Sequence, residues 1–317
     1  MTATFALIHL APGDPFAGAL DDPRVTQAVR DHWRHVYGFD RSLPDQYVRF
    51  VAGIARGELG YSIARQEPVR TVLARAIPNT LVLMGIALLL SFGLGIAIGV
   101  VQAMRHGSLT DRAIGAITLA GYSLPDFWLA QLAILAFAVW LPLFPAGGVV
   151  DPVMHPYLGP LAAALDRARH VVLPALTLTV LSAAAVARYQ RSALLDVAHD
   201  DYLRTARAKG LSERQVMLRH ALRNAAAPVI TLFGLALPGF LGGQVFIEKV
   251  FAWPGLGALA VDAVATRDYA VVVAVAIVGS VLVAIGSLLA DVLAALVDPR
   301  RRTGAIARPL PPVPLRV

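Results

Sequence analysis

The chain has 317 residues, 57% of them hydrophobic and 15% charged, where soluble domains run nearer a quarter charged, so a membrane protein is indicated. Its formal net charge of +7 comes from basic residues in short segments between apolar runs, a pattern of membrane surfaces and not of nucleic-acid binding. The absence of cysteine excludes disulfides, thiolate zinc sites and cysteine nucleophiles.

Residues 1–11 are apolar but lack a basic leader and a small-residue cleavage site, which makes them a poor signal peptide. As helix they would cross about half of a ~30 Å hydrocarbon core at about 1.5 Å per residue. They are expected to be the remnant of a first spanning helix whose beginning is missing. Residues 12–75 form a mixed-charge, extracytoplasmic region, with helices expected over 23–39 and 45–55 and a turn at Gly57 to Gly60. His32 and His35 have the i, i+3 spacing of metal ligands on a helix, but Arg30 and Arg34 beside them favour a solvated basic face. The other histidines are scattered, with no acidic cluster beside them.

A permease core is expected over 76–297, built on five apolar stretches. They are 76–104, 113–125 with 127–150 (interrupted by Asp126), 171–187, 224–247 and 269–290. About 20 apolar residues span a bilayer as helix, and the 17 of stretch 171–187 suffice if polar ends snorkel. Pro125, Pro174 and Pro238 favour kinks, and Gly93, Gly95 and Gly99 favour close helix approach. The proline-bearing tail 298–317 is expected to be disordered and cytoplasmic. The chain therefore reads as an all-α integral membrane protein of about six helices, the first truncated. Fifteen Lys and Arg residues fall in short segments on one side and four on the other, which places loop 188–224 and both termini in the cytoplasm.

Within that loop, Asp200 and Asp201 suit the positive end of a short helix and Lys209 its negative end. Gly210 suits the left-handed position that follows, and Ser212 with Gln215 forms a capping box that starts a second helix. The result is a rigid basic elbow, either a docking knob or a charged topological anchor.

The elbow resembles the EAA loop of ABC-importer permeases, most closely that of the dipeptide/oligopeptide branch. The residues that carry the likeness are Tyr202-Leu-Arg-Thr-Ala-Arg-Ala-Lys-Gly-Leu211, Arg219-His-Ala-Leu-Arg-Asn224 and Pro228. The general pattern has a glutamate where this chain has Arg204 and ends differently from His220-Ala-Leu-Arg223; both departures are typical of the peptide branch. Other stretches similar to that branch are Leu10-Ala-Pro-Gly-Asp-Pro15, Gly57-Glu-Leu-Gly-Tyr-Ser62, Pro78-Asn-Thr-Leu81, Tyr122-Ser-Leu-Pro-Asp-Phe-Trp128 and Leu173-Pro-Ala-Leu176. Glu248-Lys-Val-Phe-Ala-Trp-Pro-Gly-Leu-Gly257, Arg267-Asp-Tyr269 and Asp298-Pro-Arg300 complete the set.

The resemblance implies a type I ABC importer permease of a bacterial inner membrane. It implies a second homologous permease, two ATPase subunits that bind ATP and Mg, and an extracytoplasmic substrate-binding protein as partners. It assigns Asp201, Tyr202, Arg204, Thr205, Ala206, Lys209, Gly210, Leu211, Arg219 and His220 to coupling with the ATPase. No cofactor is expected on this chain, which lacks a G-x-x-x-x-G-K-[ST] loop.

Ser123, Pro125 and Asp126 are candidates for the transport pathway, because an intramembrane charge at a proline break marks function; a wet kink is the other reading of Asp126. Asp291 lies near the cytoplasmic end of its stretch, where an interfacial pair suffices. Tyr122, Phe127, Trp128 and Trp140 suit an interfacial belt or a peptide path. The alternative to an importer subunit is a stand-alone secondary transporter or channel, for which inverted repeats and intramembrane charge pairs are expected and not found in the sequence.

Overall fold

The computed structural model describes residues 42–241 and 244–297. The stretch 1–11, His32, His35, the 23–39 helix and the tail 298–317 lie outside the described residues.

Ser42 caps helix α1 (Leu43–Ala55), its hydroxyl accepting from Asp45 N. Gly57 and Gly60, at φ +77° and +81°, turn the chain into a two-residue antiparallel hairpin of β1 (Tyr61–Ser62) and β2 (Glu67–Pro68). This hairpin is the one departure from an all-α chain among the described residues.

Helix α2 (Val69–Met104) starts ahead of the charge-free stretch and carries Arg70 and Arg75 on its N-terminal end. Ser108 caps α3 (Leu109–Ser123). Leu124 is extended (φ −81°, ψ 139°), as a residue before proline prefers, and α4 (Asp126–Ile134) then restarts and runs on through a π-helical turn, Leu135–Trp140. The halves Leu109–Ser123 and Asp126–Trp140 meet at 102°, the bend of either a broken span or a re-entrant loop.

Helix α5 (Pro160–Val197) is far longer than the apolar stretch 171–187 that marks it. Charges such as Asp166 and Arg167 interrupt the hydropathy but not the helix. After α6 (Asp201–Ala208), α7 (Glu213–Gln215) passes through a second π turn, Val216–Ala221, into α8 (Leu222–Leu241). The second arm of the elbow is therefore the inner end of a spanning rod and not a separate short helix. The apolar stretch 224–247 is not one crossing either: α8 ends at Leu241, and 245–247 belong to α9 (Val245–Val250). Helix α10 (Leu256–Ala265) and the spanning helix α11 (Tyr269–Val297) follow.

Among the described residues four helices are long and apolar enough to cross a membrane, and the bent pair makes a fifth if it is one span. The core forms where α2 lies along α5, with Leu83, Met84, Ala87 and Phe92 against Leu173, Leu178 and Val186. Apolar side chains gain little by leaving lipid for one another, so close backbone approach matters most here. A Cβ on Gly95 would stand 2.5 Å from Val186 Cβ, and one on Gly99 would stand 2.6 Å from the Ala187 carbonyl. Gly93 faces open space.

Candidate functional site

The elbow has the local chemistry read from its sequence. Asp200 occupies the N-cap of α6 and Lys209 its C-cap, and Gly210 adopts φ +81°. Gly210 N donates to the Arg207 carbonyl at 2.9 Å and Leu211 N to the Ala206 carbonyl at 3.4 Å, the two bonds of a Schellman turn. Ser212 and Gln215 form the reciprocal capping box. Arg207 adds a pair across the corner, Nε to Glu213 Oε1 at 2.6 Å.

Burial divides the sequence-derived residues into two sets. Asp201, Tyr202, Arg204, Thr205, Lys209, Gly210 and Arg219 are exposed, whereas Leu211 and His220 are half-buried. Ala206 is 6% exposed and faces inward with Leu203. Both pack in a cluster that includes Val216, Met217 and Ala221 from the second arm, Val100 and Ala103 of α2, and Leu194 of α5. The elbow is thus packed against α2 and α5 and continuous with α8.

The residues next to this elbow that sequence reading missed are Asp111 and Arg191. Asp111 lies in the first turn of α3, buried, and accepts two hydrogen bonds from Arg191 on α5 and one from Gly107 N. Gln102 Nε2 reaches the Asp111 carbonyl, and His106 Nδ1 lies 3.0 Å from Arg191 Nη2. Arg191 was legible only as one of the cytoplasmic positive charges. The Ser108-x-x-Asp111 spacing, an N-cap followed by an acid, was the available local signal.

At the break, Ser123 and Pro125 are exposed and Asp126 is half-buried. Ser123 Oγ donates to the Leu119 carbonyl and Asp126 Oδ1 accepts from Phe127 N. Tyr122, Phe127, Trp128 and Trp140 are exposed on the single chain, as is Asp291 on α11.

At the end of the span opposite the elbow, four stretches read separately in the sequence pair off. The Glu248 carboxylate accepts from Thr80 Oγ1 at 2.7 Å and from Ala258 N at 2.9 Å, while Thr80 Oγ1 accepts from Leu256 N. Glu248 therefore caps α10 from a distance and pins it to α2. A Cβ on Gly255 would stand 2.3 Å from Glu248 Oε1, so the carboxylate's approach requires glycine there. Burial pushes the Glu248 carboxyl above the usual range, against these hydrogen bonds, which draw it down. Trp253 Nε1 donates to the Asn79 carbonyl, and Asn79 Nδ2 to the Pro254 carbonyl. Likewise Ser62 donates to the Asp268 carboxylate at the start of α11, joining the hairpin to Arg267-Asp-Tyr269.

The histidines are less scattered than the sequence implied. His155 Nδ1 and His170 Nδ1 lie 2.7 and 3.2 Å from the two carboxylate oxygens of Asp166. Among the described residues no group has the makings of a metal site.

Residues 95–303 match the family described as binding-protein-dependent transport system inner membrane component. The chain is 41% identical over 298 residues to the oligopeptide transport system permease protein AppB of Bacillus subtilis (strain 168), covering 94% of this chain and 92% of that protein. It is 39% identical to the di/tripeptide transport system permease protein DppB of Pseudomonas aeruginosa (strain UCBPP-PA14), covering 94% and 93%. With the dipeptide transport system permease protein DppB of Escherichia coli (strain K12) it shares 34% identity, covering 94% and 93%. A chain of the inward-facing MetNI methionine ABC transporter superposes with a TM-score of 0.51 at 20% identity, covering 71% of this chain and 97% of that one. A chain of an amino acid ABC transporter crystallised with histidines gives 0.50 at 16%, covering 72% and 94%. At these identities the two structures speak to fold alone, and the fold is that of ABC-importer membrane subunits.

Proposed function

The chain belongs to the family of binding-protein-dependent transport system inner membrane components, and on that premise we propose that it imports peptides, with its elbow as the joint to the ATPase. It is a multi-pass inner membrane permease that works with partner ATPase and permease subunits, in which the ATP hydrolysis resides. A stand-alone transporter or channel does not fit this family.

The observation that carries the reading is that the matched residues 95–303 contain the whole elbow, while the curated relatives over nearly the full chain are peptide permeases. The exposed face of α6, with Tyr202, Arg204, Thr205 and Lys209, is the surface offered to the ATPase in the cytoplasm. ATP and Mg are held by two ATPase subunits, and a second permease completes the pathway. An extracytoplasmic binding protein delivers the peptide. Ser123, Pro125 and Asp126 border the path, and both termini lie in the cytoplasm.

The test is reconstitution in proteoliposomes with these partners. A labelled tripeptide should enter only with ATP on the ATPase side and binding protein on the other. Uptake that persists without the ATPases would sink the reading.

A further inference from the structure

Helices α3 and α5 run antiparallel, with Asp111 opposite Arg191 at the cytoplasmic end and Gly121 beside Val180 deeper in the span. Along α3, Tyr122 stands about 16 Å from Asp111, whereas Arg188 stands only about 4.5 Å from Arg191 along α5, at about 1.5 Å per residue. Yet the Arg188 guanidinium lies over the Tyr122 ring, 5.9 Å from its centre. The two side chains therefore close the gap together. Helical side chains lean toward the N-terminus of their helix, which carries Arg188 into the span and the Tyr122 ring toward the cytoplasmic end. Basic side chains near a span's end nevertheless usually bend back to the water they are closest to.

Arg188 is exposed on the single chain, and among the described residues no carboxylate forms a salt bridge with it. A charge turned into a span in this way must face protein or a water-filled path, not lipid. The ring of Tyr122 attracts the guanidinium through its face and leaves the N–H fork free for a planar anion. Immediately beyond Tyr122 come Ser123, the Pro125 break and Asp126, and among the described residues Arg188 and Asp126 form no ion pair with each other.

We propose that Arg188, steadied by Tyr122, is an anion-recognition point on the translocation path and takes the C-terminal carboxylate of the passing peptide. The assignment rests on the peptide-import reading above.

The test uses the reconstituted complex and compares a tripeptide with its C-terminal amide, each saturating the binding protein. Wild type should carry the free acid faster. Arg188→Gln should slow the free acid about tenfold and leave the amide nearly unchanged, since a charge-assisted bidentate contact is lost. Arg188→Lys should retain part of the preference, because it keeps the charge without the fork. If Arg188→Gln fails to assemble, Tyr122→Leu carries the test and must lower the ratio of acid to amide uptake. Equal slowing of both peptides, or no slowing of either, would overturn the assignment. Failure of wild type to carry either peptide would overturn the peptide reading and this assignment with it.

Discussion

Arg191 closes on Asp111 with two hydrogen bonds, Nε to Oδ1 at 2.9 Å and Nη2 to Oδ2 at 2.8 Å. The pair fastens the turn between α2 and α3 to α5 shortly before α5 gives way to the elbow. Because Leu194 and Ala193 of the same helix pack against α6, a displacement of the elbow reaches α3 through this clamp as well as through the apolar cluster.

Arg191→Met should therefore destabilise the purified permease by about 2 kcal/mol, below the ~3–5 kcal/mol of a fully buried pair, since Arg191 itself is 30% exposed. Adding Asp111→Leu should recover most of the loss, because the buried charge goes with its partner. Thermal unfolding in detergent reads both. A loss of the single arginine no larger than that of an exposed ion pair would mean that water already screens the clamp.

Gly210→Pro should uncouple transport while leaving insertion and assembly intact. Proline fixes φ near −65°, against the observed +81°, and removes the N–H that closes the Schellman turn on Arg207. Peptide carried per ATP hydrolysed should fall well below the wild-type ratio. Ala206→Leu should act differently, because Ala206 faces the inner cluster: overpacking there costs about 1–3 kcal/mol and should appear as lower thermal stability. Lys209→Ala, on the exposed face, should weaken ATPase binding without changing that stability. Wild-type coupling in Gly210→Pro would show that the corner transmits nothing.

The elbow was legible because its signals are local: an acid before a helix, a glycine after it and a Ser-x-x-Gln pair all act within a few residues. The break at Pro125 was legible for the same reason, since proline constrains its immediate predecessor. The pairing of Thr80 with Glu248, and of Ser62 with Asp268, depends on contacts far apart in sequence, which no local pattern encodes. Hydropathy also marked 171–187 and missed the rest of α5, because it records which residues tolerate lipid and not where a helix stops. The same blindness split α7 from α8 and ran α8 into α9.

Gly95→Ala and Gly99→Ala should lower stability by about 1–3 kcal/mol each, while Gly93→Ala should raise it slightly. The first two meet α5 at 2.5 and 2.6 Å, well inside contact distance, and the backbone carbonyls of Ala183 and Ala187 leave little room to yield. Gly93, on the same helix, meets nothing within 4 Å. Comparing the three separates helix-helix approach from the helix propensity that all three substitutions improve. Equal behaviour of the three would remove close approach as the reason for glycine on this face of α2.

Glu248 should give its node a pH dependence of opposite sign to that of a salt-bridged acid. Its folded carboxyl lies above the reference value of 4.5 because burial disfavours the charge. Above that reference value the unfolded chain has released its proton while the folded chain still holds it. The folded state then binds more protons, and stability falls as pH rises through this window, levelling off once the folded group has ionised. Glu248→Gln should abolish that decline. It should also lower stability at every pH by about 1–3 kcal/mol, because an amide cannot accept from Thr80 Oγ1 and from the Ala258 and Gly257 N–H groups with both of its polar atoms. The measurement is the difference in unfolding midpoint between wild type and variant from pH 4.5 upward, which cancels every other titrating group. A difference that stays constant across the range would mean that the hydrogen bonds to Glu248 outweigh its burial and hold it ionised throughout.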